Sequence, residues 1–221
     1  MTLTPYYETE LGKLYHGDCL EIMPNLEPVD LVLTDPPYGI GIDNQKIRTK
    51  PNRPNTHGRG GELQYTAIKW DNKPINKMYF DEMFKISQNQ IIWGANYYCS
   101  FLPNGWGWIY WDKQMGNNSF SSGEFAFQSR FIKGSCFSFP SMRVKGTRTH
   151  PTQKPIELMV FCLEFFPSAN TTLDPFIGSG TTAIACERLN RRWIGIEIEE
   201  RYCQIAAKRI ERERQQLKLF K

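Results

Sequence analysis

The most constraining feature of this 221-residue chain is the alternation that begins at residue 155. The pattern predicts a helix over Pro155–Phe166, with proline at the first helical position, where an N–H has no intrahelical partner. It then predicts a strand over Thr171–Asp174, a helix over Gly180–Leu189 stopped at Asn190, a strand over Arg192–Ile196 and a charged last helix from Glu199 to Gln216. Parallel strands need long crossover connections, usually helical. This order therefore argues for an α/β fold built on a parallel sheet.

The first half reads less cleanly. Strands are expected at Lys13–Tyr15, Val29–Thr34, Gln90–Gly94 and Trp106–Trp111, the last two rich in β-branched and aromatic residues. Cys19–Met23 reads as one helical turn stopped by Pro24. Met78, Tyr79, Met83 and Ile86 recur at helical spacing, predicting a helix over Ile75–Ser87. Glu124–Phe127 and Ser135–Phe139 fit either strands or irregular structure, and Trp108, Trp111 and Phe125 read as core. Residues 39–69 are rich in Asn, Arg, Lys, Pro and Gly; the segment exceeds an ordinary connection and is either functional or disordered.

Composition narrows the function classes. Twenty-seven basic against 23 acidic side chains leave a net charge of +4, which permits nucleic-acid binding without demanding it. No run approaches the ~18 apolar residues of a membrane span, and no signal peptide is visible, so a soluble cytoplasmic protein is the expectation. The six cysteines form no Cys-x-x-Cys pair, and neither a metal site nor a disulfide framework is expected.

Chemistry is concentrated in three segments. The apolar run Val29–Thr34 ends in Asp35-Pro36-Pro37-Tyr38. Two prolines restrict the backbone and remove two N–H donors. The result is a rigid shelf presenting a carboxylate, a carbonyl and an aromatic face, a set suited to holding a flat, amino-bearing ring so that its exocyclic nitrogen can attack. Far downstream, Asp174-Pro175-Phe176-Ile177-Gly178-Ser179-Gly180-Thr181-Thr182 reads as a strand end, a Gly-rich turn and a helix start, where open α/β sheets bind ligands. Glu197 follows Gly180 by 17 positions, close to the spacing at which an acid accepts hydrogen bonds from ribose hydroxyls. Between them, His150-Pro151-Thr152-Gln153-Lys154-Pro155 precedes a helix, where free N–H groups and a lysine attract a carboxylate. Each segment also has a plain structural reading, as a loop, a helix cap or a surface acid.

At these residues the chain resembles the amino-group DNA methyltransferases that use S-adenosylmethionine (SAM), in their permuted β-class, where the Asp-Pro-Pro-Tyr motif precedes the SAM motif. The resemblance runs from Leu14 to Arg209. It implies a Rossmann-like SAM-dependent methyltransferase fold: a mostly parallel seven-stranded sheet with one antiparallel strand, helices on both faces and circularly permuted motif order. It implies a site-specific enzyme that methylates the N6 amino group of a flipped adenine, with Asp35, Pro36, Pro37 and Tyr38 as the catalytic shelf. Asp at the first position favours adenine in this class. Cytosine N4 on the same scaffold is the close alternative, and an inactive DNA-binding relative the distant one. The absence of a Pro-Cys dipeptide disfavours cytosine-C5 chemistry.

SAM binding falls by the same resemblance to Asp18, Thr152, Lys154, Asp174, Phe176, Gly178, Ser179, Gly180, Thr181, Thr182 and Glu197, with Asp18 at the adenine and Thr152 and Lys154 at the methionine end. Double-stranded DNA is the expected partner. Lys46, Arg48, Arg53, Arg59, Arg143, Lys145 and Arg148 lie in two basic segments suited to its phosphates, and Lys113 is a further candidate facing DNA. Many relatives carry a larger recognition region than the 38 positions separating Asp112 from His150. The expectation is therefore one methyltransferase domain over residues 1–221, with a flexible loop at 39–69 and a short target-recognition region at 113–150 as insertions. A homodimer is one way to enlarge the DNA surface. Such a protein is expected in a bacterial or phage-encoded setting.

Overall fold

The computed structural model describes residues 3–39, 74–104, 107–115, 121–130, 133–140 and 153–219. It divides into Met1–Pro36 with Asn76–Lys221, and a second unit, Pro37–Ile75. Every element below belongs to the first. Of the second, residues 37–39 and 74–75 are described, without helix or strand.

The chain opens with β1 (Tyr7–Glu8), β2 (Gly12–His16), a single turn α1 (Cys19–Ile22) and β3 (Leu31–Thr34). Asp18 caps α1 by accepting the Leu20 N–H at 2.9 Å, as an N-cap aspartate should. The α-helical turn ends before Pro24, as expected. Pro24 sits at the start of a 3₁₀ turn, Met23–Asn25, where its missing N–H has no consequence. The predicted second helix is α2 (Lys77–Ile86), capped by the Asn76 side chain at Met78 N. Then come β4 (Gln90–Trp93), β5 (Gly107–Asp112), β6 (Gly123–Gln128) and β7 (Gly134–Ser138), so both segments that sequence left open are strands. The C-terminal alternation follows as expected: α3 (Ile156–Glu164), β8 (Thr171–Asp174), α4 (Thr181–Arg188), β9 (Arg192–Glu197) and α5 (Glu200–Leu219). Pro155 is in extended backbone, at the cap of α3 rather than its first position. Asn190, at φ 53°, takes the left-handed conformation that follows a helix end.

The nine strands among the described residues form one sheet in the order β1-β2-β9-β8-β3-β4-β6-β5-β7. Seven of them, β2 to β5 in that order, match the expected sheet, with β6 antiparallel to both neighbours. The expectation of seven strands is exceeded because β1 adds an antiparallel edge and β7 a parallel one. All four residues of β3 and all four of β4 are buried, as happens when both faces of a parallel sheet are covered. One face packs Leu31, Leu33, Ile91 and Trp93 against Leu158, Met159, Cys162, Ala183, Ile184, Cys203 and Ala206 of α3, α4 and α5. Phe80 and Met83 of α2 are fully buried, with Phe80 against Tyr98 and Phe101.

Toward the β5–β6 end the sheet opens to solvent. Trp111 is core, but Trp108 is 39% exposed and Phe125 44%, contrary to expectation. Strand alternation puts Trp108 and Tyr110 on the face opposite Ile109 and Trp111. Cys19, Cys162, Cys186 and Cys203 are buried free thiols, while Cys99 and Cys136 are exposed. No described helix is long and apolar enough to cross a membrane, and no described cluster of His, Cys, Asp or Glu could hold a metal.

Gly12 pairs directly with Trp193, and a Cβ added there would overlap the indole. That indole is fixed: its Nε1–H donates to the buried Glu187 carboxylate at 3.0 Å, which also accepts from Thr9 Oγ1 at 2.8 Å. Gly12→Ala is therefore expected to lower unfolding free energy by about 1–3 kcal/mol through overpacking, read by urea denaturation.

Candidate active site

Strands β2, β9, β8 and β3 are consecutive in the sheet and parallel, so their carboxyl ends share one edge. That edge carries Asp18 after β2, Glu197 closing β9, the Asp174–Gly180 turn after β8, and Asp35 after β3. Segments 139 positions apart in sequence, Asp35 and Asp174, thus lie at adjacent strand ends.

Asp174 is the knot of this edge. Its Oδ1 accepts from Thr34 Oγ1 at 2.7 Å and from Phe176 N at 3.1 Å, and its Oδ2 accepts from Thr182 Oγ1 at 2.6 Å. One carboxyl therefore ties the last residue of β3, the turn and the first turn of α4. Burial pushes its pKa up to about 6, against the opposing pull of those hydrogen bonds.

The turn itself needs glycine. Gly178 has φ 53° and Gly180 φ 85°, and a Cβ on Gly180 would crowd Ala206 of α5. The Ser179 hydroxyl points to protein: it accepts from Arg209 Nη1 at 2.7 Å, and the same guanidinium reaches the Ser179 carbonyl. Burial depresses Arg209 to about 10. Sequence reading missed Arg209, because nothing in a charged helix marks which arginine turns toward the glycine turn. Ser179, Thr181, Thr182 and Asp174 are buried, and Ser179, Thr182 and Asp174 are hydrogen-bonded within the protein.

Glu197 closes the turn from the other side. Its Oε2 accepts from Gly178 N and its Oε1 from Glu199 N, both at 2.9 Å. Burial raises its pKa to about 7, more than these N–H bonds lower it. Each carboxylate oxygen has a second lone pair, so the group retains acceptor capacity for hydroxyls. Gly17 N bonds the Glu197 carbonyl at 3.0 Å, which sets the half-buried Asp18 beside it. Phe176 lies 5.8 Å from the Tyr79 ring, and burial followed by the Asp18 charge raises the Tyr79 hydroxyl. Tyr79 is a second residue missed: helical spacing predicted its helix and not its neighbours. Two carboxylates, an aromatic pair and a tight glycine turn fit a ligand with hydroxyls, an amino-bearing ring and no phosphate.

At the far end of the edge, Pro36 is buried and Asp35 half-buried. Pro37 and Tyr38 are half-buried residues of the second unit. Lys154, expected at the methionine end of the ligand, is held by protein carboxylates. It is 5% exposed, ion-paired with Asp35 and, at 3.1 Å, with Glu124 Oε2 of β6, and it lies 5.5 Å from the Trp93 ring centroid. Lys113, a candidate for DNA or for plain surface placement, pairs with Glu124. Thr152, Lys46, Arg48, Arg53, Arg59, Arg143, Lys145 and Arg148 lie outside the described residues.

Comparison with known proteins bears on the family and the fold. A family model described as DNA methylase, for N6 and N4 methylation, matches residues 29–208. The type II methyltransferase M2.LlaDCHI of Lactococcus lactis subsp. cremoris is 28% identical over 251 aligned positions, spanning 93% of this chain and 91% of that protein. Among solved structures, the M1.HpyAVI–SAM complex superposes with a TM-score of 0.58 at 22% identity, over 90% of this chain and 99% of that one. PvuII DNA methyltransferase, cytosine-N4-specific, superposes at 0.59 and 16% identity, over 96% and 94%. These two likenesses establish the fold.

Asp174 and Glu197 bind their protons more tightly folded than unfolded. Their stabilisation is therefore complete below the unfolded values near 4 and lost as pH rises through about 6 and 7. Urea unfolding across this window is expected to show stability falling as pH rises, with a shallower slope in Glu197→Gln.

Proposed function

This chain belongs to the DNA methylase family whose model spans residues 29–208, and on that premise we propose that it methylates the N6 amino group of adenine in double-stranded DNA, with SAM as donor. The observation that carries the proposal is the shelf Asp35–Pro36 at the end of β3, bonded through Thr34 to the Asp174 that builds the neighbouring glycine turn.

The donor site fits the residues at that edge. Glu197 would accept the ribose hydroxyls, Asp18 would hold the adenine end, and the Phe176–Gly180 turn would border the ligand. When bound there, SAM supplies an electrophilic methyl group on a sulfonium. This chain's part is to present a nucleophile. An adenine amino nitrogen is a poor one, because its lone pair is delocalised into the ring. The Asp35 carboxylate and the Pro36 carbonyl accept its two N–H bonds. That pair of acceptors favours a pyramidal nitrogen with its lone pair directed away from the shelf, while Tyr38 stacks on the base. The rate then rests on positioning and electrostatic preorganisation, with no covalent enzyme intermediate. A paired base cannot reach such a shelf, so the target adenine leaves the duplex.

Residues 1–221 act in this reading as one methyltransferase domain, with 39–69 and 113–150 inserted in it. Lys46, Arg48, Arg53, Arg59, Arg143, Lys145 and Arg148 neutralise phosphates. A type II restriction-modification setting is supported by the type II methyltransferase M2.LlaDCHI, which aligns along almost its whole length.

Cytosine N4 is the alternative that the same shelf serves, and PvuII methyltransferase, cytosine-N4-specific, shares the fold. The product separates them. Methylation-free DNA is incubated with methyl-labelled SAM and digested to nucleosides. Labelled N6-methyladenine is expected, and labelled N4-methylcytosine would move the assignment. Asp35→Ala is expected to reduce transfer by at least ~10²-fold, the loss typical of removing a preorganised transition-state contact. SAM affinity, measured by calorimetry, should change less than threefold.

A further inference from the structure

The shelf carboxylate belongs to a chain of four charged side chains that the proposed chemistry leaves unexplained. Lys113, after β5, pairs with Glu124 Oε1 on β6. Glu124 Oε2 lies 3.1 Å from Lys154 Nζ, and Lys154 reaches Asp35 Oδ2 at the end of β3. The signs alternate and sum to zero. Side-chain exposure falls from 17% at Lys113 to 5% at Lys154, so the inner cation is withdrawn from water. Burying an ammonium costs several kcal/mol unless it is paired, and this one has two carboxylates.

We propose that Glu124 is a positioning residue for Asp35: by sharing the buried Lys154 ammonium, it keeps that cation in place beside Asp35 without letting it neutralise the carboxylate that receives the target amino group. The inference rests on the reading that Asp35 accepts that amino group. With Glu124 ionised, one ammonium serves two carboxylates, and the inner trio keeps a net negative charge next to a nitrogen that becomes positive as it is methylated. Without it, the Lys154 ammonium is left to Asp35 as its one carboxylate of the two, and Asp35 is a weaker acceptor.

The titrations run the same way. Burial pulls Lys154 down, and the charges of Asp35 and Glu124 more than reverse this, so the ammonium is held above its ordinary value. Burial pushes Glu124 up, and Lys154 and Lys113 overcome it, to about 2. Lys154 also faces the Trp93 ring of β4 and the Cys162 thiol of α3, which burial keeps protonated.

The test is Glu124→Gln on the full chain with methyl-labelled SAM and unmethylated DNA. The expected result is a kcat about 30-fold lower, less than the ~10²–10³-fold typical of removing a group at the reacting atoms. KM for SAM and for DNA should stay within threefold. The alkaline limb of the kcat profile should move to lower pH, because Lys154 loses one of two carboxylates while its burial persists. A role confined to folding would lower thermal stability and leave both readouts unchanged, so a kcat within twofold on a superimposable pH profile overturns the proposal. Should the Gln variant fail to fold, Glu124→Asp carries the test. Keeping the charge one methylene short, it should lose roughly 3- to 10-fold in kcat with the alkaline limb unmoved, and a folded Asp variant at wild-type rate overturns the proposal equally. Asp35→Ala, assayed in parallel, separates the two readings. If it retains transfer, the role of Asp35 itself fails. If it abolishes transfer while Glu124→Gln is normal, only this inference falls.

Discussion

The site depends on the pairing of β3 with β8 and on two carboxylates that lock it at both ends. At the entry, Asp30 Oδ2 accepts from Asn170 N, Thr171 N and Thr171 Oγ1, each at 2.8 Å. At the exit, Asp174 accepts from Thr34 and Thr182. A parallel pair slipped by one residue would turn every side chain to the opposite face. These two anchors, with Leu31 opposite Thr172 and Val32 opposite Leu173, exclude that slip. Asp35 and the glycine turn therefore leave the sheet side by side.

The two carboxylates work in different dielectric settings. Asp30 is largely exposed, and Thr171 holds its pKa down. Asp174 is buried and raised. An acid near 6 beside a ligand edge invites a catalytic reading, yet Asp174 faces two threonine hydroxyls and a backbone N–H. Its perturbation comes from desolvation in a structural role. Lys154 shows the converse: a side chain legible as a ligand-facing cation is drawn inside, because two carboxylates offer it more than water does at that depth.

The architecture was largely legible. Apolar runs of four to six residues alternating with helical spacing permit few arrangements other than a parallel sheet, and the segments after Pro155 lie within a few residues of their expected bounds. The motif residues were legible because prolines after an acid and glycines after a strand have few other uses. Trp108 and Phe125 were misread, since an aromatic residue in a strand signals β-structure without saying which face is covered. Arg209, Tyr79 and Glu124 gave no signal: each acquires its role through a neighbour distant in sequence, Ser179, Phe176 and Lys154, and a lone charge or ring in a helix or strand is ordinary.

By itself the sequence determined the kind of fold, the order of its motifs and the chemical types available, because backbone restriction, periodicity and charge are local properties. Only the tertiary structure decided which of those groups face a ligand and which hold the fold. Lys154 is paired with Asp35 and Glu124, Ser179 accepts from Arg209, and Thr182 donates to Asp174. The reason is physical: burial and pairing are set by what other strands and helices bring to a position. A charge in a low-dielectric interior settles on the nearest opposite charge, however distant that partner is along the chain.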